Sequence, residues 1–82
     1  MHTLKTKPVF YKAVIENRKH FEIRKADRDF QVGDILCLQE YDEVLKAYTG
    51  NECFVKVTFL MPGGQYGLNI DYCLMAIKRH QL

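Results

Sequence analysis

The run ILCLQEYD, residues 35–42, is the segment that leaves the fold least freedom. Its period is that of a strand, yet both of its faces are apolar until Glu40. A chain of 82 residues has room for only one core. A strand buried on both sides in so short a chain requires a sheet that closes, or nearly closes, on itself.

The rest of the chain supplies the strands for that sheet. CFVKVTFLM, residues 53–61, is the longest β-run, with Cys53, Val55, Val57, Phe59 and Met61 on one face and Phe54, Lys56, Thr58 and Leu60 on the other; it reads as a central strand. YCLMAIKR, residues 72–79, reads as the last strand. Between the strands lie FQVGD, where Gly33 permits a turn, a loop over 43–52, and a glycine-rich hairpin, PGGQYGLN. The first element is helical: Pro8 suits a first turn, Phe10, Ala13 and Val14 recur at i, i+3 and i+4, and Tyr11 and Ile15 form an adjacent row. Thr6 stands where a cap belongs, and Asn17 can turn the chain out after about nine residues. From His20 to Lys25 the period changes to two, with Phe21 and Ile23 on one face and His20, Glu22 and Arg24 on the other. The pattern predicts a single α+β domain over residues 1–82, a small β-barrel of four to six strands with one N-terminal helix.

Charge is concentrated rather than large. The formal net charge is only +2, so contact with a polyanion would need a local patch. RKHFEIRKADRD, residues 18–29, holds nine ionisable side chains in twelve positions. Such a stretch suits a solvated sheet edge that blocks edge-to-edge pairing. It also suits a site: Arg18, Lys19, Arg24, Lys25 and Arg28 crowd a helix end and a turn, and Glu22, Asp27 and Asp29 are interleaved so that they orient the cations. Arginine forks, lysine charges and carboxylate acceptors together match phosphate, base edge and exocyclic amine. Tyr41, Tyr48 and Tyr66, in or beside loops, offer stacking faces for an unpaired base.

The segment NRKHFEIRKADRDFQVGDIL resembles the ASCH family, the activating signal cointegrator homology domain, within the PUA-like superfamily, and is closest to a bacterial and phage branch. The similarity runs through 17–19 (NRK), 21–24 (FEIR), 27–30 (DRDF), 32–34 (VGD) and 48–50 (YTG), and extends to HTLKTKPVFYKAV before them and GGQYGL and DYCLMAI after them. The resemblance implies a PUA-like barrel with a cleft beside the early helix and a role in binding RNA or modified nucleotides. It places Lys19, Glu22 and Arg24 in the cleft and Arg28 and Asp29 beside it; Lys25 and Tyr48 complete the expected ligand-binding set. Some small relatives of this kind remove the acetyl group of N4-acetylcytidine with a lysine at the helix–strand turn and a threonine three residues later. Lys19 matches that lysine, but Glu22 stands at the threonine's place, so Lys19 and Glu22 are the catalytic pair only if the protein is an amide hydrolase. Thr49 is the nearest loop hydroxyl. A protein-interaction domain using apolar strand edges is the third alternative.

Other classes find little support. Cys37, Cys53 and Cys73 are widely spaced in apolar runs and read as reduced core residues. His2, His20 and His80 lack metal-ligand spacing, so no metal or other cofactor is expected. MHTLKTKPV has no apolar signal segment and no run is long enough to span a membrane, which leads to the expectation of a cytoplasmic protein without a membrane partner.

Overall fold

A computed structural model describes all residues, 1–82. The chain runs β1 (His2–Thr6), α1 (Pro8–Ile15), β2 (Phe21–Lys25), β3 (Ile35–Asp42), β4 (Ala47–Pro62) and β5 (Tyr72–His80). The five strands form one sheet in the order β1-β3-β4-β5-β2. All neighbours are antiparallel except β1 and β3, which are parallel, with His2 opposite Leu36 and Thr6 opposite Glu40. This is an α+β domain with a curled, half-barrel sheet and one short helix.

The inward face carries the core. Leu36, Leu38, Val55, Val57, Cys73, Met75 and Ile77 meet Tyr11 and Val14 of α1 and Leu4 of β1 in one cluster. Strand β3 is buried on both sides over Leu36, Cys37 and Leu38, in agreement with its two-faced apolar sequence. All three cysteines are free and buried.

Five expectations need correction. The chain opens with β1 rather than with the helix, and Thr6 is its last residue; the helix cap is Lys7, without a side-chain hydrogen bond. The buried helix residues are Tyr11, Ala13 and Val14, whereas Phe10 and Ile15 stay partly exposed. Strand β4 begins at Ala47, so residues 47–52 are strand and only 43–46 turn. A bulge between Val57 and Phe59 adds one residue to β4 and switches its faces. Phe59 therefore points outward, and Leu60 packs against the core.

The fifth correction concerns β2. Its inward face is that of Glu22, which is 2 % exposed, while Phe21 and Ile23 face out at 43 % and 47 %. The phase read from the sequence is right, but the buried side carries the carboxylate.

Candidate functional site

The end of α1 sets up the site. Asn17 adopts φ 61°, and the amides of Asn17 and Arg18 bond the carbonyls of Val14 and Ala13, a Schellman closure that satisfies the last turn. The chain then turns sharply into β2 and brings Lys19 beside Glu22. The Lys19 ammonium donates to Oε2 of Glu22 and, at 2.6 Å, to the Phe21 carbonyl. The Arg24 guanidinium approaches Oε1 of the same carboxylate from the other side, Nε at 3.0 Å and Nη2 at 2.9 Å. Both oxygens of a buried carboxylate are thus held by cations, which is how such a charge is kept without water. Arg24 also donates to the Lys5 carbonyl at 2.9 Å and to the Thr6 hydroxyl at 3.2 Å.

These groups line a cleft of about 330 Å3 walled by Lys5, Thr6, Lys7, Phe10, Lys19, Phe21, Glu22, Ile23 and Arg24. The cleft exists because the barrel does not close. The amide of Ala26 bonds Asp71, and that of Ile77 bonds His20, so the even-numbered residues of β2 pair with β5. The backbone groups of Phe21 and Ile23 therefore point to the open edge. Across the gap, β1 pairs with β3 on one side and turns the Thr3 and Lys5 carbonyls toward β2, where they accept from Arg28, at 3.0 Å, and Arg24. Two arginine side chains bridge edges that no backbone ladder joins.

Chemically, the floor offers an acceptor next to a donor. Oε2 of Glu22 retains a lone pair beyond the one Lys19 uses, and the ammonium retains a proton. The walls are aromatic: the ammonium lies 4.8 Å from the Phe21 ring centroid and 5.7 Å from that of Phe10. Four cations stand around the single carboxylate, Lys5 and Lys7 at the rim with Lys19 and Arg24 within. The site favours a ligand with a flat polar edge and negative charge nearby.

The sequence pattern of a domain of unknown function, DUF3850, matches residues 1–77. The chain belongs to the DUF3850 family. This DUF3850 domain is also similar to an uncharacterised 12.9 kDa protein in the GpA 3′ region of Escherichia phage P2, 33% identical over 58 residues, which are 71% of this chain and 51% of the phage protein. The chain spans about half the length of the curated relative it matches.

Of the side chains expected in the site, the DUF3850 fold brings together Lys19, Glu22 and Arg24. Lys25 and Arg28 line a separate shallow hollow with Asp27. Asp29 lies in another, against Phe30 and Ile70, where Arg28 also reaches. Tyr48 sits on β4 at the opposite edge of the sheet, its ring 5.0 Å from that of Tyr41, and Tyr66 stands 92 % exposed at a loop tip. The Thr49 hydroxyl is bonded to Glu40, away from the cleft. Sequence reasoning missed Lys5, Thr6, Lys7 and Phe10, because β1 reaches the cleft only through its parallel pairing with a strand more than thirty residues later. No three His, Cys, Asp or Glu side chains are placed to hold a metal ion. No helix is long and apolar enough to cross a membrane.

Proposed function

We propose that this DUF3850 domain is a PUA-like barrel of the ASCH kind and that its cleft binds a nucleotide or an unpaired base of RNA. The observation that carries the reading is the Lys19–Glu22 pair at the floor of a cleft with aromatic walls and the open backbone edge of β2 beside it. A base has a polar edge for that floor and a π-face for Phe10 or Phe21. Its phosphate fits the Lys5 and Lys7 rim. The three buried free cysteines support a reducing, cytoplasmic setting.

The test is a heteronuclear NMR titration with nucleosides, nucleotides and short single-stranded RNAs. Amide shifts clustered at residues 5–7 and 19–24, weakened in Phe10→Ala, are expected. Absence of shifts there at millimolar ligand overturns the reading. Phe10 is half exposed and outside the core cluster, so its removal leaves the fold in place.

A second reading, hydrolysis of an acylated nucleoside such as N4-acetylcytidine, is favoured by one observation. The Thr6 hydroxyl, which sequence reasoning did not place near Lys19, is buried in the wall of the same cleft. Incubation of N4-acetylcytidine with concentrated protein should then release cytidine and acetate. No release after prolonged incubation ends that reading without touching the binding one.

A further inference from the structure

The sheet has two faces, and only the inner one is covered. On β2, β4 and β5 the residues between the core positions all point outward and fall into register. Phe21 stands opposite Ala76, which stands opposite Phe59; one pair further along, Ile23 stands opposite Leu74, and Leu74 opposite Met61. Tyr72 follows, opposite Lys25. Helix α1 packs against the other face, through Tyr11 and Val14. Three adjacent strands therefore present a continuous apolar surface with nothing over it, Phe59 being 62 % and Tyr72 39 % exposed.

We infer that this outer face joins two copies of the chain, sheet against sheet, about a two-fold axis. The area argues for it. Three aromatic side chains and one isoleucine at these exposures leave on the order of 400 Å2 of apolar surface open, taking about 200 Å2 for a large side chain. That lies within the range of the largest patch on a monomer, one often used for contact. A standard interface covers about 800 Å2 per partner, and in homodimers about two thirds of that is apolar. The patch supplies most of this apolar share.

Charge placement favours an antiparallel arrangement. Lys56 and Lys78 stand opposite one another on the outer face at one end of the patch. Asp27 and Asp71 flank the other end, with Lys25 between them. A two-fold stack sets the two lysines of one copy near the two aspartates of the next.

Sedimentation equilibrium from micromolar to about 500 µM tests the inference. The expected wild-type mass rises from the 9.6 kDa of one chain toward twice that value, and Phe59→Asp holds it at the monomer. Leu45→Asp, an exposed apolar position in the turn before β4, should dimerise like the wild type. Circular dichroism confirms that the variants fold. A wild type that stays at 9.6 kDa throughout, or a Phe59→Asp variant that dimerises equally, overturns the inference. The cleft-amide titration reads a different property, so either result can fail alone.

Discussion

Replacing Glu22 by glutamine changes one oxygen to an amide and tests the centre of the cleft. In the wild type the carboxylate accepts from Lys19 on one side and twice from Arg24 on the other. Whichever way the amide turns, its NH2 must face one of the two cations, so at least one charge-assisted bond is lost and a donor meets a donor. Such bonds contribute about 1.5–3 kcal/mol each, and breaking a buried ion pair from one side costs about 3–5 kcal/mol. The side chains of Lys19 and Arg24 keep 13% and 24% of their surface in water, which moves the expected loss to the lower end, about 3 kcal/mol. A domain of this length has a total stability of roughly 4–12 kcal/mol. Glu22→Gln should therefore lower Tm by about 12–24 °C. Urea unfolding followed by far-ultraviolet circular dichroism measures the loss, because the chain has no tryptophan. In a double-mutant cycle, Lys19→Met should cost less in the Glu22→Gln background than alone. A loss below about 1 kcal/mol with an unchanged m-value, the size of a surface pair, would refute the claim that the carboxylate is a buried, doubly held charge.

Arg28→Ala removes one partly exposed bond to the Thr3 carbonyl and should cost about 1 kcal/mol, whereas Arg24→Ala leaves Glu22 half-paired and should cost about 3 kcal/mol; equal thermal shifts would contradict the roles given to the two arginines. At Gly63 an added Cβ would stand 1.9 Å from the Asn69 carbonyl oxygen and 2.4 Å from that of Tyr72, so Gly63→Ala must force the turn apart. At Gly50, with φ +94° and open space around it, alanine should cost only about 1–2 kcal/mol, and chemical denaturation of both variants checks the order. Burial pushes the thiols of Cys37, Cys53 and Cys73 above their ordinary value of 9.0, so a disulfide-exchange reagent at pH 8 should react slowly with native protein and rapidly, at three equivalents, once guanidinium unfolds it. Because the folded values are raised, this contribution to stability is complete below pH 9.0 and is lost as pH rises through the folded values, which alkaline melting curves should register.

How much of this could be read in advance depends on the range of the forces involved. Strands β3, β4 and β5 show in the sequence because each alternates over eight or more residues, and the helix shows because Pro8 and Asn17 mark its ends. Strand β1 does not show: it has five residues and little apolar content, and its partner is more than thirty residues away. The grouping of Lys19, Glu22 and Arg24 follows from local spacing, a turn and then one face of a strand. The direction of that face does not. Phe21 and Ile23 look like the residues to bury, but two cations make Glu22 cheaper to enclose than the pattern suggests, and the apolar pair is left outside. Arg28, Asp29 and Tyr48 are near the cleft in the chain or in composition, yet the sheet carries them elsewhere.

The seam between β1 and β2 has a mechanical consequence. A sheet zipped all the way round can widen only by tearing its ladder, whereas this one is fastened along one line by two guanidinium groups. Rotating those two side chains away breaks bonds worth on the order of 2–4 kcal/mol together and leaves every backbone pair of the sheet intact. The domain therefore breathes along a chosen axis. Guests wider than the resting cleft enter through that line, and one that takes over the Thr3 and Lys5 carbonyls in place of the arginines would hold the two edges apart for as long as it stays.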